Sequence, residues 1–283
     1  MKPDNLQHQR LELKYIVHEQ TARSVRDYVC HHLSLDKFGQ DRPDLSYPVH
    51  SLYLDSDQLA LYWHTINGNK NRYKLRLRFY DESAESPVFF EIKRRMNDAI
   101  LKQRGGVKRL AVARLLAGQL PARDELYSDD PKHIAALENF CRLMQHHEAK
   151  PKAHVAYRRE AWISPHNNSV RVTMDRDVQL DPDPTSEMRT TMQNPVAVFG
   201  KNNVVLELKF TGRFPDWFGD LVRYFGLWQC SAAKYADGVT LLRESGARLG
   251  QMIMPESFEA AEKLTSRRAN LDRLQERSEL TFT

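Results

Sequence analysis

The chain has 283 residues, 41% hydrophobic and 28% charged, a balance that excludes a mainly disordered polymer and leaves ample material for a core. Its 42 Lys and Arg against 37 Asp and Glu give a net charge of +5, too small by itself to specify a partner. No apolar run reaches the roughly 20 residues of a membrane-spanning helix. Met1 to Leu13 is too polar for a signal peptide, and three widely spaced cysteines (Cys30, Cys141, Cys230) point to a reducing, cytoplasmic setting rather than a disulfide framework.

Leu11 to Val17 reads as a strand, followed by a helix over about Glu19 to Leu33 with Val25, Val29 and Leu33 at helical spacing. A polar loop rich in Asp, Gly and Pro covers Asp36 to Ser46. Strand patterns follow at Tyr47 to Asp55, Arg72 to Tyr80 and Val88 to Arg95. Gly105-Gly106 reads as a turn, without the Lys-Ser/Thr of a P-loop. Val107 to Ala117 is a predicted helix with Gly118 as its C-cap. Asp130-Pro131 opens another, carrying Ile134, Leu137, Cys141 and Met144. His146-His147-Glu148 at its end reads as a helix C-terminus rather than a metal cluster, and His31-His32 is read alike. Further strands fall at Ala153 to Ile163, Ser169 to Asp177 and Val204 to Phe210, with His166-Asn167-Asn168 as a turn. Pro215 opens a helix carrying Phe218, Val222 and Phe225, and another starts after Ser231. Trp63, Trp162, Trp217 and Trp228 are read as core residues. Residues 1–245 form one domain and 246–283 a charged helical extension, near neutral, a surface helix or a short coiled-coil contact.

Alternation along the strands is more specific, because successive side chains point to opposite faces. Arg72, Lys74, Arg76 and Arg78 share one face of their strand, about 7 Å apart, against Tyr73, Leu75, Leu77 and Phe79. Phe89, Glu91, Lys93 and Arg95 share a face, as do Arg171, Thr173 and Asp175, Glu207 and Lys209, Tyr157 and Arg159, and Glu12 and Lys14. A solvated sheet face explains any one strand. Over six strands, cations with one carboxylate recur instead of a polar mix, and like charges repel unless an anion lies between them. That pattern suggests a polyanion site. The Tyr and Phe residues between basic positions fall on the opposite strand face from the cations, which argues against stacking platforms for nucleic acid.

Leu11-Glu12-Leu13-Lys14-Tyr15, Ser51-Leu52-Tyr53-Leu54-Asp55, Lys74-Leu75-Arg76-Leu77-Arg78-Phe79-Tyr80 and Phe90-Glu91-Ile92-Lys93-Arg94-Arg95 occur in that order. Lys102-Gln103-Arg104, Tyr157-Arg158-Arg159, Val170-Arg171-Val172-Thr173-Met174-Asp175, Leu206-Glu207-Leu208-Lys209-Phe210 and Ala233-Lys234-Tyr235 follow. The series resembles the VTC domain, the polyphosphate polymerase branch of the triphosphate tunnel metalloenzyme superfamily, from about Arg10 to Leu242. The resemblance implies an α+β fold in which eight antiparallel strands form a barrel-like tunnel flanked by helices. It implies ATP and polyphosphate as ligands and Mn²⁺ or Mg²⁺ as cofactor. Carried over by position, Arg76, Arg78, Arg171 and Lys93 would be catalytic. Lys14, Lys102, Tyr157, Arg159 and Lys234 would bind substrate phosphates, and Glu207 would hold the metal. The inward aim of Lys234 rests on the resemblance alone. Arg10 stands where the wider superfamily often has glutamate, which favours polymerase over hydrolase. No phosphoinositide-sensing or transmembrane domain like those of eukaryotic VTC complexes is visible, so any coupling to translocation would need a separate membrane protein.

Such chemistry needs positioning and charge neutralisation rather than a covalent nucleophile. Arginine forks and lysine point charges serve that role, and a hard divalent cation needs one or two carboxylates. No Ser-His-Asp or Cys-His set is convincing. Glu207 can equally be a salt-bridge partner. A triphosphate hydrolase and a non-catalytic polyanion-binding module remain alternatives to an ATP-dependent polymerase.

Overall fold

The computed structural model describes residues 10–97, 99–165 and 169–244. The expected extension over 246–283 and the His166-Asn167-Asn168 turn lie outside them. Elements in chain order are β1 (Arg10–His18), α1 (Glu19–Val29), β2 (Ser34–Leu35), α2 (Lys37–Gln40), β3 (Ser46–Asp55) and α3 (Ala60–Ile66). Next come β4 (Asn71–Phe79), β5 (Val88–Met96), β6 (Ala99–Val107), α4 (Val112–Leu116), α5 (Pro131–His146), β7 (Lys150–Ile163) and β8 (Val170–Pro182). The described chain ends with β9 (Val196–Ala197), β10 (Asn203–Thr211), α6 (Asp216–Tyr224) and α7 (Lys234–Glu244).

The strands form a single ten-stranded sheet in the order β1-β10-β8-β7-β3-β4-β5-β6, with β2 added to β7 and β9 to β8. Every pairing is antiparallel. The sheet curls until its ends meet across the concave side: Lys93 Nζ of β5 lies 3.1 Å from Glu12 Oε2 of β1. No ladder joins β1 to β6 among the described residues, so the expected eight-strand tunnel is a rolled sheet with an open seam.

Alternation sorts the side chains. On the convex face, Leu52, Leu75, Leu77, Phe79, Phe90 and Ile92 pack under α4 and α5 through Leu115, Leu137 and Phe140. Val172, Met174, Leu206 and Leu208 pack under α1 and α6 through Val25, Val29, Phe218 and Leu221. The concave face is divided. One part is apolar, where Ala153, Val155, Leu180 and Val205 lie beneath Tyr235, Ala236, Val239 and Leu242 of α7. The rest is charged.

A bulge on β8 creates that division. Asp177 takes a left-handed φ of 52°, and the β7–β8 register slips between Ala156 and Arg158. The extra residue resets the parity. Arg171, Thr173 and Asp175 face inward before it, and Val178 and Leu180 face inward after it.

Several readings need correction, beginning with the Asp36 to Ser46 loop, which holds the short α2. Gly105-Gly106 is not a turn but lies inside β6, and a Cβ on Gly105 would sit 2.4 Å from Leu137 Cγ and 2.6 Å from the His133 carbonyl oxygen of α5. The two glycines therefore let α5 press onto the sheet. Val107 to Ala117 is the end of β6, a single 3-10 turn and the short α4 rather than one helix. Trp228 is not core but 72% exposed. The short α3 carried no signal in the sequence. The buried Asp55 at the end of β3 accepts hydrogen bonds from the Leu61 and Tyr62 amides, at 2.8 and 2.9 Å, and from the Tyr235 hydroxyl of α7. Burial, the largest influence, raises its pKa against those donors.

Candidate functional site

The charged part of the concave face holds two buried carboxylates ringed by cations. The first is Glu91 on β5. Its Oε2 accepts from Arg76 Nε and Nη2 at 2.9 and 2.7 Å, and its Oε1 lies 2.7 Å from Lys102 Nζ and 3.5 Å from Arg104 Nε. Arg78 Nε stands 3.8 Å away, while its Nη2 donates to the Ser51 and Tyr157 hydroxyls at 3.2 and 3.1 Å. Arg76 Nη1 donates to the Tyr53 hydroxyl at 3.0 Å. Burial opposes charge on Glu91, but Arg76, Arg78 and Lys102 overcome it and hold the carboxyl well below its usual range.

Glu207 on β10 is the second. Lys234 Nζ donates to Oε1 at 3.0 Å, with Lys14 Nζ 3.6 Å away. Lys209 and the Thr173 hydroxyl donate to Oε2, and Arg159 Nη2 lies 3.6 Å from it. Burial again opposes the charge, and Lys209, Lys234, Lys14 and Arg159 outweigh it, so Glu207 also stays ionised. Asp175 completes this half by binding Arg159 through both oxygens at 2.7 Å and Lys234 at 2.7 Å. Lys234 thus points inward from the start of α7, with Nζ 5.0 Å over the Tyr157 ring.

The lysines differ in charge state. Desolvation of its ammonium against Glu91, with Arg78 and Arg76 adding to the effect, lowers Lys102 to about 7 although its side chain is partly exposed. With 47% of its side chain open to the groove, Lys102 stays within reach of a ligand. Burial lowers Lys209 to about 8 against Glu207 and Glu12. Lys234 goes the other way: Asp175 and Glu207 overcome burial and raise it. The groove therefore holds more cations than its own carboxylates balance, and two lysines titrate near neutrality.

The sequence-derived positions are brought together unevenly. Lys14, Arg76, Arg78, Lys93, Lys102, Tyr157, Arg159, Lys234 and Glu207 converge on one network. Arg171 shares their face but is engaged at the rim, donating to Asp36 at 2.8 Å and to the Tyr47 hydroxyl at 3.4 Å. Glu91, Asp175 and Lys209 had the right alternation but no assigned role. Arg104 was missed because β6 was not recognised as a strand.

A divalent cation can be tested against this donor set. Among the described residues no three His, Cys, Asp or Glu side chains form a metal-holding group. The groove instead offers separated ionised carboxylates, with Glu12 and Glu207 both beside Lys14 Nζ at 3.2 and 3.6 Å. One or two carboxylates suit a cation that takes its remaining ligands from phosphates and water. The residues fit such a group.

A rolled antiparallel sheet with a cation-lined concave face is the class of protein that fold and site define. The VTC domain model matches residues 9–243, and the chain belongs to that family. A curated relative, vacuolar transporter chaperone complex subunit 4 of Schizosaccharomyces pombe, is 24% identical over 189 residues, or 60% of this chain and 26% of that protein. The chain therefore spans about a quarter of that relative. Among solved structures, the PH1819 protein of Pyrococcus horikoshii OT3 aligns with a TM-score of 0.42 and 12% identity, covering 83% of this chain and 99% of that one. The Schizosaccharomyces pombe Mediator head module aligns at 0.36 and 6%, covering 84% and 93%. Both scores are too low to define a shared fold. No helix among the described residues is long and apolar enough to cross a membrane.

Proposed function

We propose that the chain transfers the γ-phosphate of ATP to the end of a polyphosphate chain held in the groove. The observation that carries this reading is the pair of buried, ionised carboxylates, Glu91 and Glu207, each outnumbered by its surrounding cations. Membership of the VTC family supports it. Such an arrangement relaxes when a polyanion supplies the missing negative charge.

The attacking and transferring phosphates are both anions, so their approach is the barrier to overcome. Arg76 and Arg78 hold the transferring phosphate by forked hydrogen bonds, and Lys102 adds a point charge from β6. Arg159, Lys14, Lys209 and Lys234 hold the acceptor chain beside Glu207. Lys93 and Tyr157 complete the walls, and Arg171 guides phosphates at the rim. Glu207, with Glu12 as a second carboxylate, would hold a divalent cation, which would neutralise charge on the phosphate oxygens. The terminal oxygen of the acceptor attacks phosphorus, the bond to the β-phosphate breaks, and ADP leaves. No side-chain nucleophile is required.

Purified protein incubated with ATP and Mn²⁺ should yield long chains on a gel. Arg76→Ala should reduce turnover by about 10²–10³-fold, the loss expected for one charge-stabilising donor, in protein that still folds by circular dichroism. Glu207→Gln should abolish the metal-dependent part. Free phosphate alone would mean a hydrolase, and tight polyphosphate binding without turnover would mean a binding module.

A further inference from the structure

A row of aromatic rings borders one end of the groove. Phe38 on α2 lies 5.7 Å from Tyr47 on β3, and Tyr47 lies 6.5 Å from Tyr80, just after β4. Tyr80 lies 6.4 Å from Phe89 on β5, and Phe89 lies 5.6 Å from Tyr127, between β6 and α5. Tyr47, Tyr80 and Phe89 occupy the cationic side of their strands, contrary to the general expectation that aromatics lie opposite the cations. Tyr80 follows Arg76 and Arg78 at the same parity, and Arg104 stacks 3.4 Å over the Phe89 ring.

This rim is built but not sealed. Tyr80 and Tyr127 stand across Phe89 at 73° and 82°. The Tyr127 side chain is 57% exposed, and its backbone is tied to β6. Its backbone N–H donates to the Gly106 carbonyl at 3.0 Å. A Cβ on Gly106 would meet the Phe89 ring at 3.0 Å and Tyr127 Cβ at 3.1 Å. The glycine therefore makes room for Tyr127 to lie against Phe89. An open ring resting against Phe89 beside a charged groove is suited to a flat partner that enters with the groove's ligand.

We propose that Tyr80 and Tyr127 receive the nucleoside part of the phosphoryl donor, a proposal that rests on the reading of the groove as a phosphate site. Along the strand, Tyr80 lies about 7 Å beyond Arg78 and about 13 Å beyond Arg76. A triphosphate whose terminal phosphate sits at Arg76 extends its ribose and base to this rim. Arg104, between the rim and Glu91, faces the phosphates nearest the nucleoside. Any base has a π-face to stack, so the rings recognise a nucleoside without reading its edge. An inorganic triphosphate presents the same charge and nothing for the rings. The rim thus selects a nucleotide over an inorganic chain.

Isothermal titration of the full chain with ATP and, separately, inorganic tripolyphosphate tests this. Tyr127→Ala should weaken ATP by about tenfold, the loss of one stacked base, and leave tripolyphosphate within about twofold. Tyr127→Phe should keep wild-type ATP binding. Equal loss of both ligands, or no loss of either, overturns the rim while leaving the phosphate groove intact. Wild-type protein that binds neither ligand overturns the groove and the rim with it. Tyr80→Ala provides a second measurement, and because Tyr127 is exposed, its variants decide the matter if Tyr80→Ala does not fold.

Discussion

Lys102 and Lys209 link anion binding to protons. In the empty groove burial lowers them to about 7 and about 8. A bound phosphate favours the charged ammonium and raises both values, so binding takes up protons. Affinity is then full below about 7 and falls as pH rises through the free values toward the higher bound ones. Titrating long-chain polyphosphate at pH 7.5, in buffers of different ionisation enthalpy, should show net proton uptake. Its internal phosphates keep their charge across this range. Lys102→Arg should bind but take up fewer protons, whereas proton release by wild type would contradict the scheme. The inward aim of Lys209 was legible from strand alternation, because period two leaves no freedom once one face is buried, whereas Lys102, on the unrecognised β6, was reached through the family resemblance alone. Their partners were not always legible. Arg171 pairs with Asp36, 135 positions away on a loop, and alternation says nothing about loops.

The long strands were legible as elements except β6, and the two-residue β2 and β9 were too short to leave a pattern. Its Gly105-Gly106 pair looks like a turn in sequence, since both glycine and turns favour unusual backbone, yet here the missing side chains serve close packing. The distinction predicts that Gly105→Ala damages the fold rather than a loop. Its methyl would reach 2.4 Å from Leu137 Cγ and 2.6 Å from the His133 carbonyl, and a helix backbone cannot retreat as a side-chain tip can. Overpacking of this kind costs about 1–3 kcal/mol. Urea unfolding should register the loss as a lower midpoint at unchanged slope. The same substitution in a true surface turn would change stability by only a few tenths of that. The bulge at Asp177 was hidden for a related reason: its left-handed turn flips the parity of β8 without altering the apolar count. The anchoring of α3 was hidden because Asp55 belongs to β3 and reaches the Leu61 and Tyr62 amides through folding back of the chain.

At the scale of the molecule, the net charge of +5 conceals its distribution. Cations crowd the concave face, and α7 closes the apolar part so that Lys234 reaches Asp175 and Glu207. That closure could not be read from one strand at a time, because it depends on where a helix lands after the sheet has rolled. Its consequence is thermodynamic. The empty groove stores like-charge repulsion that the unfolded chain escapes, and a polyanion that fills it binds only the folded state. Ligand at about 100 times its Kd contributes about 2.7 kcal/mol, which for a chain of this size raises Tm by about 5–10 °C. Salt works through two opposing effects. It screens the repulsion in the empty groove, so ligand-free protein should melt slightly higher as salt increases. It also weakens polyphosphate binding, so the ligand-induced rise should shrink over the same range. Melting curves with and without polyphosphate at low and high salt should therefore converge from both sides. If the two curves instead move in parallel with salt, the ligand is not neutralising the groove and binds elsewhere on the surface.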